Sequence, residues 1–567
     1  MTGRAQTEIE RKYDVEALSR IPQFEGIDAI AQVSAPDSFT LTAVYYDTAD
    51  HDLARRRIVL RRREGGGDAG WHLKMPADEG RTEVHWPLDV GGADGSEPGA
   101  IPTDVLEPVR AIVRDRPLTP LARVTTVRTT VHLHGPDGSA LAEIADDDVS
   151  ASDVRGGTYR KWREWEAELL DGAPDTRKKR TRLLDSIEQA LLAAGAHPSS
   201  SIAKIARAVG VDSLAELDGA PVLPGLLPAP PLQDPNSVAV IVVGALRQLT
   251  EKLVDDDPHA RADAPDAIHR MRTTVRRLRS VLAVYGRLFE KSAVAELRFE
   301  LKQLGIELGR ARDAEVRGSR LAAELDGITA HPTGDAEIRL VGGARRVYAE
   351  GLANVRAYLL STRYYRLLDA LEACAEWPPM TSKAERPAPK EIARDLTKAV
   401  AILARTTSRV TGSDAPEAAL HEVRKAARRL RYAAQAVALA DPVAPVEPAI
   451  TLTRGTKATR KAAAKAAAKA AARHAAAAER FAKLRRRYTE IAGVAKPVVK
   501  RLGDRHDRLL YIEELEQAAQ AAHEDGENTL VYGLLVARAE HLGDTVAVVL
   551  AETEGSVKQL ERLVRKL

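Results

Sequence analysis

The sequence predicts an α+β multidomain chain: an antiparallel β sheet or barrel followed by a large all-α domain. Three observations carry that reading. Before residue 175 the chain runs in short alternating segments (Thr40–Tyr46, Ile58–Arg63, Trp71–Met75, Thr82–Leu88, Val124–Leu133, Ala140–Ala145 and Arg160–Leu170) broken by Gly, Asp and Pro, the pattern of an antiparallel sheet. After residue 235 the pattern changes to long Ala/Leu/Arg/Glu-rich stretches with helical spacing. Between the two lies Gly219–Leu232, dense in proline, which suits a semi-rigid spacer and continues neither strand nor helix. The expected domains are therefore 1–210 and 235–567, joined by a linker at 211–234.

Composition narrows the class. A chain of 567 residues exceeds one ordinary core, and 44% hydrophobic with 29% charged residues is a globular balance. Aromatics at 4% argue against a protein that stacks bases on exposed rings. The single cysteine, Cys374, excludes a disulfide framework and a cysteine-based metal site. Met1–Lys12 is polar and acidic, without the apolar stretch of a secretory signal. The most apolar run, near Val238–Leu246, is too short to span a bilayer. A soluble cytoplasmic protein is expected, with no membrane partner. The net charge of +3 hides a polarity: residues 1–210 hold 28 Lys/Arg against 34 Asp/Glu, residues 211–567 hold 56 against 47, and 451–510 alone holds 17 against 4.

The first strand reads Glu8-Ile-Glu-Arg-Lys-Tyr13. Side chains alternate, so Glu8, Glu10 and Lys12 share one face while Ile9 and Tyr13 share the other. Arg160–Leu170 repeats the design, with Glu164, Glu166 and Glu168 on one face. Arg61 and Arg63 stand together on a third strand, with Arg57 in phase. Lys74, Glu83, Arg128 and the pair Glu143/Asp147 follow on later strands. Rows of like charge repel across strands. The acidic rows call for a divalent cation with oxygen ligands, and the basic rows for an anion such as phosphate. Together they describe a metal–polyphosphate site, and no Gly-rich Walker loop accompanies it.

Glu8-x-Glu10-x-Lys12 resembles the ExExK signature of the CYTH family, the triphosphate tunnel metalloenzymes. The likeness continues through Tyr45-Tyr-Asp-Thr48, Leu60-Arg-Arg-Arg63, Trp71-His-Leu-Lys74-Met-Pro76, Asp147-x-Val149 and Trp162–Leu169, and covers about residues 5–208. The resemblance implies an antiparallel eight-stranded tunnel holding a triphosphate and one or two divalent cations, Mg²⁺ or Mn²⁺. It assigns Glu8, Glu10, Glu166 and Glu168 to metal, with Glu143, Asp147 and Glu164 completing the acidic side. Lys12, Arg61, Arg63, Lys74 and Arg128 would grip phosphate, joined by Lys204 of Ser201-Ile-Ala-Lys204. Arg123 competes with Arg128 for its role, and three alternate glutamates leave open which pair forms the second Glu-x-Glu. Glu8, Glu10 and Lys12 stand as the catalytic set.

The second half contains a repeat. His269-Arg-Met-Arg-Thr-Thr-Val-Arg-Arg-Leu-Arg279 aligns with His421-Glu-Val-Arg-Lys-Ala-Ala-Arg-Arg-Leu-Arg431. At about 100° per residue, His269, Arg272, Arg276 and Arg279 fall on one helical stripe. His421, Arg424, Arg428 and Arg431 do the same in the second copy. Each copy is followed by a further match, Leu308-Gly-Arg-Ala-Arg-Asp313 and Leu502-Gly-Asp-Arg-His-Asp507. A solvated helix face intersperses acidic partners, whereas these stripes carry one sign. The arrangement resembles the CHAD family, a helical domain of two repeated bundles associated with binding inorganic polyphosphate. The second copy carries a Lys/Ala-rich insertion near 450–480, in which Lys461, Lys465 and Lys469 recur every fourth residue. This is either a plain surface helix or a polyanion-binding arm, for polyphosphate or nucleic acid.

These readings give a metal-dependent triphosphatase converting inorganic triphosphate to pyrophosphate and phosphate, joined to a polyphosphate-binding domain. Association with polyphosphate granules would follow. Two alternatives stand beside it. One is a non-catalytic granule or nucleoid scaffold. The other is a tunnel enzyme acting on thiamine triphosphate, or on ATP as an adenylyl cyclase.

Overall fold

The structure, a computed structural model, describes residues 3–24, 26–89, 100–199, 203–210, 237–440, 457–541 and 543–567. The chain divides into two compact units, residues 1–226 and 227–567. The division and the proline-rich stretch 211–234 both lie outside the described residues. Among the described residues no helix is long and apolar enough to cross a membrane.

In the first unit the opening run of chain makes two successive strands, β1 (Arg4–Glu8) and β2 (Glu10–Asp14), parted only at Ile9. The others are β3 (Gln32–Val33), β4 (Asp37–Asp47), β5 (Val59–Glu64), β6 (Gly70–Pro76), β7 (Arg81–Pro87), β8 (Thr119–His134), β9 (Ala140–Asp153), β10 (Tyr159–Leu169) and β11 (His197–Pro198). All pairings are antiparallel, in the order β1-β7-β6-β5-β4-β8-β9-β10-β2-β11, with β3 on β8. Because β1 and β2 are one stretch of chain paired at opposite ends of that path, the sheet closes on itself. The Ile9 carbonyl at the break accepts from the Leu169 amide at 2.9 Å. Counting β1 and β2 as one strand and setting aside the two-residue β3 and β11, eight strands make the wall, as the resemblance implies.

Alternation sorts the side chains. On the outer face Tyr13, Ile144, Trp165 and Ala167 bury against Leu183, Leu184, Ile187 and Leu191 of α1 (Arg177–Ala193). Each Leu or Ile among them is worth about 1.5–3 kcal/mol when fully buried. The charged rows therefore turn inward. A second helix, α2 (Lys204–Val209), packs Ala203, Ile205, Ala206 and Ala208 on Tyr45, Val124, Val149 and Ala151. Those wall residues lie in phase with tunnel-lining positions, so α2 fills part of the interior. Strand β9 runs well past the expected Ala145. Asp146 and Asp147, which look like a break, are held by Arg163 of β10 and Arg128 of β8. Arg57 stands outside β5, in a turn with φ 57°.

The second unit is helical. Its repeat lies on α3 (Ala267–Val284), α4 (Lys291–Asp326), α5 (Pro416–Leu439) and α6 (Lys457–Glu524). Met271, Val275, Leu278 and Leu282 are buried on α3, and Val423, Ala427 and Leu430 on α5, the apolar stripes that the spacing predicts. The helices α3 and α5 pack on each other. The Tyr285 hydroxyl, just after α3, donates to the Ala433 carbonyl of α5 at 3.4 Å. From Lys457 the Lys/Ala-rich insertion is the start of α6, one helix through to Glu524. Its earlier residues, 450–456, lie outside the described residues.

Candidate functional site

The tunnel holds a cavity of about 360 Å³. Seven carboxylates line it (Glu8, Glu10, Asp68, Glu83, Glu143, Glu166, Glu168), facing seven cationic side chains (Lys12, Arg61, Arg63, Lys74, Arg81, Arg128, Lys204). Strand register sets who meets whom. Glu168 lies opposite Glu10 and Glu143, Glu166 opposite Lys12, and Glu164 opposite Asp147. Asp147 is in turn opposite Arg128, and Glu83 opposite Lys74.

Acidic and basic rows thus neutralise each other inside the wall. The Lys12 ammonium sits 2.8 Å from Glu10 and also bonds Glu166. Lys74 bonds Glu8 and lies 3.6 Å from Glu83, which Arg61 approaches at 3.5 Å. Arg128 forks onto Asp147 at 2.8 and 2.7 Å and reaches Glu166, with Glu143 at 3.8 Å. Lys204 lies 2.8 Å from Asp147, 2.7 Å from Glu164 and 2.6 Å from Glu166. Opposite charges hold Glu166 and Asp147 below the usual carboxylate range against burial, which acts to raise them. Arg63 pairs with Asp68, and Arg123 is exposed on the outer face while Arg128 lines the cavity.

One carboxylate, Glu168, stays short of positive charge. Burial, and next the neighbouring Glu8, push the Glu168 carboxyl up to about 8. Glu8 Oε2 is buried without a hydrogen-bond partner. Glu8, Glu10 and Glu168 therefore fit a hard divalent cation, which takes oxygen ligands. Separately, Asp147, Glu164 and Glu166 bring ligand oxygens within 4.8 Å of one another. That buried triad fits a cation as well.

Three tunnel groups escaped the sequence reading. Arg81 begins β7 in phase with Glu83, one residue before the expected strand start. Asp68 comes from the β5–β6 turn. His72 is buried between Glu83, 3.0 Å from its Nδ1, and the Asp68 carbonyl, 3.0 Å from its Nε2. Desolvation lowers its pKa to about 4. Alternation on Trp71–Met75 places His72 in phase with Lys74, a signal present in the sequence.

In the helical unit, His269 is exposed and Arg272, Arg276 and Arg279 are half-buried on α3; His421, Arg424, Arg428 and Arg431 are half-buried on α5. The arrangement repeats. Arg272 reaches Asp313 at 2.6 Å, and Arg424 reaches Asp507 at 3.4 Å. A Cβ on Gly309 would stand 3.5 Å from the Arg272 guanidinium, and one on Gly503 would stand 3.3 Å from that of Arg424. The Leu-Gly of both copies thus leaves room for an arginine over the helix. Burial, and then Arg272 and Arg428, lower Arg276 to about 10; burial and Arg424 lower Arg428 to about 10. The stripes of the two copies therefore feel each other's charge. His421 also stacks near His506, ring centroids 4.9 Å apart.

Comparison with known proteins matches both units. The CYTH domain model matches residues 6–195, and the CHAD domain model matches 244–450. Uncharacterized proteins from two Mycobacterium tuberculosis strains are 37% identical over 99% of this chain and 97% of theirs. Among solved structures, the CHAD domain from the plant Ricinus communis is 20% identical, covering 57% of this chain and 94% of that one (TM-score 0.39). A Hippeastrum protein reported with a dominant triphosphatase activity is 18% identical, covering 35% of this chain and 94% of that one (TM-score 0.23). With both domain models matched in order and relatives aligned over nearly its whole length, the chain belongs to the proteins that join a CYTH domain to a CHAD domain.

Proposed function

We propose that the tunnel is a metal-dependent inorganic triphosphatase, releasing phosphate and pyrophosphate, and that the helical unit binds inorganic polyphosphate. The observation that carries the first half is the closed tunnel lined by matched acidic and basic rows, with Glu168, beside Glu8 and Glu10, left short of positive charge. Phosphoryl transfer is mostly positioning and electrostatic stabilisation, and such a wall supplies both. Arg61, Arg63, Lys74 and Arg128 exchange carboxylate partners for phosphate oxygens, which guanidinium forks also match. Glu8, Glu10 and Glu168 would hold Mg²⁺ or Mn²⁺, with Asp147, Glu164 and Glu166 as a second set. A divalent cation held there would supply charge to offset phosphate oxygens and to acidify water. The α2 packing shortens the interior and favours a compact substrate over one with a bulky leaving group.

The convergent stripes of α3 and α5 support the second half, because guanidiniums crowded enough to depress one another await an anion. Phosphate release from triphosphate, thiamine triphosphate and ATP, each with Mg²⁺ or Mn²⁺, tests the tunnel. The reading expects inorganic triphosphate to be preferred and Glu8→Gln/Glu10→Gln to abolish turnover. Preference for ATP with cyclic product would replace it with a cyclase reading, and absence of turnover on all three would leave a binding tunnel.

A further inference from the structure

The Lys204 ammonium touches all three members of the Asp147–Glu164–Glu166 triad at 2.6–2.8 Å. An ammonium has three N–H donors; here one is hydrogen-bonded to Glu166, while Asp147 and Glu164 lie at ion-pair distance. Three acidic oxygens within 4.8 Å of one another also make a cation position. Lys12 and Lys74 each approach two carboxylates, whereas Lys204 approaches three, and those three are the triad.

Charge balance sharpens the point. The triad's three negative charges face Lys204, Arg128 and Lys12, with Arg207 3.6 Å from Glu164, so the group has no negative charge to spare. Adding a divalent cation would bury two further positive charges, which is costly at low dielectric. Removing one ammonium at the same time offsets one of them. No single ammonium bridges Glu8, Glu10 and Glu168 in this way: Lys74 bonds Glu8 and Lys12 bonds Glu10, each shared with a further carboxylate. Lys204 begins α2, whose Ala203, Ile205, Ala206 and Ala208 anchor it in the wall. The ammonium is thereby delivered at high local concentration.

We infer that Lys204 is an internal competitor of the metal: its ammonium occupies the cation position of the Asp147–Glu164–Glu166 triad and must leave before a divalent ion binds there. This rests on the reading of the tunnel as a metal site. It makes metal loading two-step, with the Glu8–Glu10–Glu168 position filling first and the triad second. Departure of Lys204 from the triad also frees its ammonium for phosphate, so that the second ion and substrate engagement are coupled.

The test is Mn²⁺ titration of the full chain without substrate, followed by the electron paramagnetic resonance signal of free Mn²⁺. Wild type should show one tighter and one weaker site. Lys204→Met should tighten the weaker site at least about tenfold, since apparent affinity is reduced by the fraction of triads already vacated, and leave the tighter site unchanged. Mn²⁺ binding to wild type with both affinities unaltered or weakened in Lys204→Met overturns the inference while leaving the metal tunnel standing. Absence of Mn²⁺ binding in both overturns the metal reading and this inference with it. Reductive methylation of wild type, read by mass spectrometry, needs no variant. Lys204 should label slowly without metal and several-fold faster at saturating Mn²⁺. Equal labelling while Mn²⁺ binds overturns the inference.

Discussion

Arg128 and Asp147 form a two-pronged ion pair across β8 and β9, at 2.8 and 2.7 Å, with the Asp147 side chain fully buried. Removing one partner of a buried pair leaves the other charge stranded, at a cost of about 3–5 kcal/mol. Lys204 remains on Asp147, so Arg128→Ala should destabilise the first unit by the low end of that range, about 3 kcal/mol. Arg128→Lys keeps the charge and loses the fork, so it should cost less. Urea unfolding followed by tryptophan fluorescence checks this. Equal stability of Arg128→Ala and wild type would show that the pair adds nothing to the fold.

Asp47 belongs to the Tyr45–Thr48 motif yet does not line the tunnel cavity. Its carboxylate accepts from the Thr48, Leu53 and Ala54 amides at 2.7, 3.1 and 3.0 Å. It therefore ties the end of β4 to the turn that leads into β5. Asp47→Ala orphans those amides and should cost about 2 kcal/mol. The loss should appear as a lower midpoint in thermal unfolding, with no change in KM for triphosphate in the folded fraction. A raised KM at unchanged stability would place Asp47 in the site instead.

Alternation alone brought Glu8, Glu10, Lys12, Arg61, Arg63, Lys74 and the three late glutamates to one face, and they do line or adjoin one cavity. Strand identity was legible for the same reason, since each strand has one face under α1 or turned outward and one face inward. What the sequence did not reveal is pairing. Rows of one sign suggested external partners, but register places Lys12 beside Glu166 and Arg128 beside Asp147. Register is a property of distant segments meeting, so it leaves no local trace. Lys204 shows the same limit: its partners come from β9 and β10, and only the fold puts them around one ammonium. Arg81 was missed by a single residue at a strand end, where boundaries are set by hydrogen bonds rather than composition.

The pH response follows from Glu168. Its carboxyl is pushed up to about 8 in the folded tunnel, by burial and then by Glu8, from an ordinary 4.5. A carboxyl with the higher pKa when folded holds an extra proton in that state, so stability is full below about 4.5 and falls as pH rises toward 8. In chelator, the melting temperature of the first unit should therefore drop between about pH 6.5 and 8, because below that range His72, held neutral in the fold down to about 4, acts in the opposite direction. Glu168→Gln, which cannot ionise, should lose that slope. Saturating Mg²⁺ or Mn²⁺ should flatten it in wild type, because the cation supplies the missing positive charge. Parallel pH profiles for wild type and Glu168→Gln would contradict the charge shortage.

Arg276 and Arg428 set stability against binding. They lie on the facing stripes of α3 and α5, each lowered to about 10 by burial and by neighbouring arginines. The acidic groups bonded to these stripes, Asp313 and Asp507, go to Arg272 and Arg424. A half-buried guanidinium among its own kind costs the free protein stability, as functional groups often do. Arg276→Met and Arg428→Met keep the packing of the stem and remove the charge, so each should stabilise the helical unit by about 1 kcal/mol. The same changes should weaken binding of long-chain polyphosphate and reduce its dependence on salt, since fewer counterions are released. Calorimetric melting and binding titrations at two salt concentrations measure both effects on one sample. Opposite movement of stability and affinity identifies the stripes as a ligand surface. Loss of stability with unchanged polyphosphate affinity would make these arginines part of the packing between the two copies.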